Sequence, residues 1–137
     1  MKSYKISDIE GIGPAYAEKL QKAGVRSVAA LLKKGATRKG RGELAKLSGI
    51  DETLILKWVN MADLYRVKGV GSEYSELLEK AGVDTVKELK NRNPENLHAE
   101  LGKVNSQGRA LVRALPGLKR VKSWVEEAKK LQAVVTY

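Results

Sequence analysis

The sequence predicts an all-α protein built from two tandem repeats of short helices joined by a longer shared helix. Three observations lead there. Apolar side chains recur at three- and four-residue spacing along the chain, with no segment alternating as a strand would. Residues 9–32 align without a gap on residues 67–90, identical at eleven of 24 positions. Helix-starting and helix-stopping residues fall at matching places in the two copies.

In the first copy Tyr16, Leu20 and Ala23 lie at i, i+4 and i+7, and Gly24 is suited to a left-handed C-cap. Ser27 is the N-cap of the next helix. The second copy repeats this with Gly82 and Thr85, where Thr85 and Glu88 read as a capping box, and Asn93-Pro94 reads as an N-cap followed by proline at N1. From Glu52 to about Lys68 there is no breaker, and Leu54, Ile55, Trp58, Ala62 and Tyr65 keep helical spacing. One helix is therefore expected to close the first repeat and open the second, with domains at 1–64 and 65–137. The match loosens downstream but keeps Leu44/Leu111, Gly49/Gly117 and a W-V-x-x-A at Trp58 and Trp124. Tyr16, Tyr74, Trp58 and Trp124 are assigned to the core.

Composition narrows the function. The formal net charge is +10, and it is unevenly spread. Residues 19–49 hold nine Lys or Arg against Glu43 alone, and residues 101–137 hold eight against Glu126 and Glu127, whereas residues 51–100 are net negative. Two basic blocks favour an anionic partner. There is no cysteine, and His98, expected on a helix surface, is the one histidine, so most zinc sites and every Cys-His pair are excluded. No carboxylate cluster is spaced for metal or acid-base chemistry and no G-K-S/T loop is present. No catalytic residue, metal, cofactor or small-molecule substrate is expected. Without a long apolar stretch or an apolar region behind the N-terminal lysines, no membrane association is expected either, and the cytoplasm is the expected location.

The motif with chemical content is the turn Ile6-x-x-Ile9-x-Gly11-Ile12-Gly13, which returns as Leu64-x-x-Val67-x-Gly69-Val70-Gly71. Paired glycines allow backbone conformations and close approaches that side chains forbid, while the apolar residue between them anchors the turn. Outward N–H groups and the positive end of the following helix then make a concave site the size of a phosphate. This pattern resembles the helix-hairpin-helix motif. The turns Leu47-Ser48-Gly49-Ile50-Asp51 and Leu115-Pro116-Gly117-Leu118-Lys119 resemble degenerate second hairpins. The stretches GATRKGRGELAKLSGIDETLILKWVNMADLYRVKGVG and AGVDTVKELKNRNPENLHAEL resemble, nearly end to end with the rest of the chain, a prokaryotic family of tandem helix-hairpin-helix proteins described as a domain of unknown function. A looser resemblance to the hairpins of DNA repair and recombination proteins implies duplex binding across the minor groove, through backbone amides and nearby Lys or Arg.

The expected contact set in the first repeat is Gly11, Ile12 and Gly13, then Lys19 and Lys22, then a glycine-spaced basic loop carrying Lys33, Lys34, Thr37, Arg38, Lys39 and Arg41, with Thr37 as a hydroxyl donor. In the second repeat it is Lys103, Arg109, Arg113, Lys119, Arg120 and Lys122. Gly69, Val70 and Gly71 are expected to be structural or weak contacts, because Glu73, Glu76 and Glu79 on the following helix would repel a strand. The expected function is sequence-non-specific gripping of nucleic-acid backbone, duplex DNA ahead of structured RNA, in the nucleoid or in DNA metabolism. The alternative is a protein-interaction adaptor acting through the acidic second hairpin helix.

Overall fold

The computed structural model describes residues 4–107 and 110–137. Among these residues the chain forms a 3₁₀ turn at Ile6–Asp8 and eight α-helices. They are α1 (Pro14–Lys22), α2 (Val28–Gly35), α3 (Arg38–Ser48), α4 (Glu52–Leu64), α5 (Ser72–Lys80), α6 (Val86–Lys90), α7 (Pro94–Ser106) and α8 (Leu118–Lys129). The described residues hold no strand, only an isolated antiparallel bridge between Lys5 and Ser27.

Most of the helix ends follow from local chemistry. After α1, Gly24 takes φ +90°, its N–H reaches Gln21 O at 3.0 Å, and Val25 N reaches Leu20 O at 2.8 Å. Gly82 repeats this after α5 at φ +88°, with Val83 N on Leu78 O at 2.8 Å. These are left-handed caps that satisfy the last carbonyls of each helix. The Ser27 hydroxyl accepts from Ala30 N at 3.0 Å, and the Asn93 side chain accepts from Asn96 N at 2.9 Å just ahead of Pro94. Thr85 departs from expectation: it precedes α6, but its side chain is buried and makes no cap hydrogen bond, so the capping box with Glu88 does not form.

The chain divides into two compact units. The first runs up to Asp63 and includes Val134–Tyr137; the second is Leu64–Ala133. In the first, α2 packs on α3 and α1 on both the 3₁₀ turn and α3. Leu20, Val25, Leu31, Ile55 and Val59 there are fully buried. In the second, α8 packs against α6 and α7, and α5 against α7. One apolar cluster from Leu64 through Leu77, Val83, Leu97 and Val121 to Trp124 forms its core. Burying each such side chain contributes about 1.5–3 kcal/mol.

The expected helix from Glu52 to Lys68 ends earlier, at Leu64. The reason lies in the apolar period. Leu64, Val67 and Val70 are all at most 1% exposed, and α-helical winding would carry residues spaced by three off one face. Three-residue turns keep them aligned. Val67 N accordingly donates to Leu64 O at 3.0 Å and Val70 N to Val67 O at 3.1 Å. Ile9 N on Ile6 O and Ile12 N on Ile9 O, at 3.3 and 3.1 Å, do the same in the first unit.

Two other expectations are corrected. The glycine-spaced basic stretch is no loop. It is the end of α2, a two-residue turn at Ala36 and Thr37, and the start of α3. Its glycines serve close packing, since a Cβ on Gly40 would run into the Lys34 carbonyl oxygen and one on Gly35 into Val59 Cγ2. The two downstream turns also differ from each other. Gly49 caps α3 at φ +72°, whereas Gly117 sits at φ −68° ahead of α8 after an irregular segment. The Asn105 side chain holds that segment, accepting from Leu111 N at 2.8 Å and Val112 N at 3.1 Å and donating to Val112 O at 3.2 Å.

Gly40→Ala is expected to destabilise the protein by about 1–3 kcal/mol, because the obstructing atom is backbone. Gly42→Ala, whose Cβ would lie 3.7 Å from Glu52 Oε1 in ordinary contact, is expected to stabilise it by about 0.5–1 kcal/mol through helix propensity. Urea titration followed by circular dichroism separates the two; equal behaviour would contradict the packing described.

Candidate nucleic-acid interface

The two glycine turns have the same geometry but divide the labour within each pair. Gly11 adopts φ +92° and Gly69 φ +88°, the left-handed region where a side chain is strained. Gly13 (φ −80°) and Gly71 (φ −110°) are in extended backbone that any residue adopts. A Cβ on Gly13 would meet nothing within 4 Å. The first glycine of each pair therefore makes the turn, while Gly13 leaves an open approach to the start of α1. Ile12 and Val70 between them are 5% and 0% exposed, so each fixes its turn to the core and contacts no ligand directly.

A Tyr-Trp pair backs each turn. The Trp58 indole nitrogen lies 3.7 Å from where a Cβ on Gly11 would sit, and Trp124 stands 3.4 Å from the same point on Gly69. Tyr16 meets Trp58 at a 5.1 Å centroid distance and Tyr74 meets Trp124 at 5.2 Å. Both tryptophans are buried and both tyrosines half-buried. These aromatics pack behind the glycine turns.

Helix α1 starts on Gly13 and α5 on Gly71, neither with a side-chain cap, whereas α2, α3 and α7 are capped by Ser27, Thr37 and Asn93. At the two glycine turns the cap residue accepts only through its carbonyl, from Ala17 N and Ser75 N at 2.9 Å, so no side chain of the cap covers the earlier amides, of which Pro14 removes one. Helix α8 likewise begins at Gly117 without a side-chain cap.

The expected cations separate once folded. Lys19 Nζ sits 5.9 Å from the centre of the Tyr16 ring that backs the first glycine turn. Lys22 pairs with Glu18 at 3.1 Å, an exposed pair of little energetic weight. Lys34 Nζ lies 2.8 Å from where a Cβ on Gly24 would be, at the far end of α1. Nine residues of helix are roughly 13 Å, so Lys34 stands about that far from Gly13, and Lys33 is exposed beside it in the last turn of α2. Arg38 and Lys39 are exposed on the first turn of α3. The Thr37 hydroxyl oxygen accepts from Gly40 N at 3.0 Å, so its main role is capping α3.

Arg41 is not a surface cation. It is 3% exposed, and its Nη1 donates to Gly35 O at 2.8 Å and Ala36 O at 3.1 Å, while Nη2 donates to Thr136 O at 2.7 Å. Thr136 N in turn donates to Ala36 O at 2.8 Å. This guanidinium holds the α2–α3 turn to residues 134–137, and sequence reasoning had no means of seeing a partner so far along the chain.

In the second unit Lys103 and Arg113 are exposed and Arg109 lies outside the described residues. Lys119, Arg120 and Lys122 are exposed on the first turns of α8. Glu95 comes within 3.5 Å of Lys122. Arg120 lies 5.7 Å from the Tyr74 ring centre and donates to its hydroxyl at 3.2 Å, and Tyr74 donates to Ala114 O at 3.2 Å. Arg120, on α8, thereby places a cation against the tyrosine that backs the second glycine turn. Of the acidic residues on α5, Glu73 is exposed, while Glu76 and Glu79 are half-buried. Glu79 has one oxygen buried without a hydrogen bond.

Cations on the first turns of α3 and α8 oppose the positive end of the helix dipole, each at a cost of about 0.3–1 kcal/mol at an exposed site. An anion placed there offsets that cost. Among the described residues no group of three or more His, Asp or Glu is placed to hold a metal ion, and no helix is long and apolar enough to cross a membrane.

Fold and surface together describe an all-helical protein with two glycine turns and cations gathered at helix starts. The chain belongs to the family described as Domain of unknown function (DUF4332), which matches residues 10–131. No curated protein and no solved structure matches it.

Gly11→Ala and Gly69→Ala are each expected to cost about 1–2 kcal/mol by forcing a side chain into the left-handed region. Gly13→Ala is expected to change stability by less than about 0.5 kcal/mol. Thermal unfolding of the three variants checks this, and a Gly13→Ala loss as large as that of Gly11→Ala would overturn the division of roles.

Proposed function

We propose that the protein grips the backbone of duplex nucleic acid, DNA ahead of structured RNA, without reading sequence, and that its two glycine turns act as helix-hairpin-helix elements. The observation that carries this reading is the pair of helices α1 and α5 that begin on glycine without a side-chain cap in a chain of net charge +10. Open first-turn amides are hydrogen-bond donors for phosphate, and contacts to phosphate position a protein without specifying bases. In the first unit the contact set is the amides around Gly13 with Lys19, Lys33, Lys34, Arg38 and Lys39. In the second it is Lys103, Arg113, Lys119 and Arg120. Arg41 is left out because its donors serve the fold. The reading assigns no catalytic step.

A second reading, a protein adaptor, is favoured by the acidic face of α5, where Glu73 is exposed. A partner that stays bound after nuclease treatment supports it.

Fluorescence anisotropy of a labelled duplex of about 20 base pairs tests the first reading. If roughly five to eight phosphates are engaged, log K against log salt should fall with a slope near −4 to −7. Reversing Lys33, Lys34, Arg38 and Lys39 to Glu together should lower affinity by at least about tenfold and make the slope shallower. Binding that ignores salt, or a folded variant that binds like the unaltered protein, sinks the proposal.

A further inference from the structure

The first unit carries a second feature, which shares only Arg38 with the duplex contact set. Beside the starts of α3 and α4 lies an open cleft of about 340 Å³ lined by Arg38, Arg41, Glu52, Thr53, Leu56 and Tyr137. Its volume is within the range of small-molecule sites.

Arg41 gives the cleft its character. It is 3% exposed, and its hydrogen bonds run to three neutral carbonyls, with no carboxylate partner among the described residues. A buried charge normally has an opposite charge beside it. The positive charge here has no directly paired carboxylate and borders the cavity, where it attracts an incoming anion. Arg38, exposed on the first turn of α3, adds a second guanidinium near that helix's positive end. The other lining is of a different kind. Tyr137 is 67% exposed, with its ring centre 5.9 Å from the Arg41 guanidinium carbon and its hydroxyl donating to Asn60 Oδ1 at 3.4 Å, and it lines the cleft with half-buried Leu56. Glu52 Oε1 lies 3.7 Å from where a Cβ on Gly42 would be. Gly42 stands one turn of α3 beyond Arg38, roughly 6 Å along the axis.

The cleft therefore runs from positive to negative within one helical turn, past a flat aromatic surface. We propose that it is a site for a phosphate group carried on a planar, hydrogen-bond-donating ring, the chemistry shared by a nucleoside monophosphate and by the phosphorylated end of a nucleic-acid strand. Arg38 and the charge of Arg41 hold the phosphate, Tyr137 stacks on the ring, and Glu52 accepts from an amino or imino edge. Glu52 also selects against ligands that are anionic throughout. This goes beyond the duplex reading, since a concave site of this size takes a terminal or free nucleotide and not a continuous backbone.

The test is a nitrogen-15 NMR titration of the full chain with adenosine monophosphate, guanosine monophosphate, ribose 5-phosphate and inorganic phosphate. A nucleoside monophosphate is expected to shift the amides of Arg38, Thr53, Leu56 and Tyr137 with a dissociation constant below about 1 mM, and ribose 5-phosphate to bind at least about tenfold more weakly. Arg38→Gln and, separately, Tyr137→Leu should each weaken nucleotide binding by about tenfold without changing the amide spectrum of the second unit. A short 5′-phosphorylated oligonucleotide that reproduces the shifts, when its 5′-hydroxyl counterpart does not, identifies a strand end; shifts from the mononucleotide alone identify a free nucleotide. Silence of these amides at about 10 mM ligand, or binding unchanged in both variants, overturns the proposal. Duplex binding that persists while the cleft stays silent overturns this site and leaves the duplex reading standing.

Discussion

The structure of both units depends on a chain reversal that requires left-handed backbone. At Gly11 and Gly69 the main chain turns through φ near +90°, letting three apolar residues spaced by three, Ile6-Ile9-Ile12 and Leu64-Val67-Val70, point into the core. In the first unit the following helix then starts in the open at Gly13. A side chain at the first glycine would strain the turn, and without the turn neither the Tyr-Trp pair behind it nor the helix in front of it could keep its place. The end of α4 at Leu64 follows from the same constraint, because the second reversal has to begin there.

The electrostatics build on that scaffold. Exposed cations on α3 and α8 stand at helix starts where the dipole works against them, while the helices entering from the glycine turns have no side chain of their own over the first amides. Folding by itself is not helped by either choice. Both become favourable once an anion is bound, which is why the charge distribution bears on function while the fold follows from the glycines and the apolar period.

Arg41 shows how the same residue type takes two roles within four positions. Arg38 is on the surface, whereas Arg41 is taken into the interior by the carbonyls of Gly35, Ala36 and Thr136. Its burial organises the α2–α3 turn and leaves a positive charge at the edge of a cleft. Glycines that look like a flexible basic loop, Gly35 and Gly40, are instead places where two helices approach too closely for a Cβ.

The sequence by itself determined what short-range physics decides. The left-handed caps at Gly24 and Gly82, the Ser27 and Asn93 caps, the repeated turn and the buried tryptophans were legible because each depends on a dihedral or a hydrogen bond within a few residues, or on a regular apolar period. The tertiary structure decided what depends on distant neighbours. Thr85 looks like a capping threonine yet is buried, Lys122 meets Glu95, and Asn105 accepts from Leu111 N and Val112 N ahead of α8. Arg41 was misplaced among surface cations because the carbonyl that completes its burial belongs to Thr136, 95 residues away. Whether a charge stays in water or is buried is settled by which backbone groups surround it after folding, and local sequence does not contain that information.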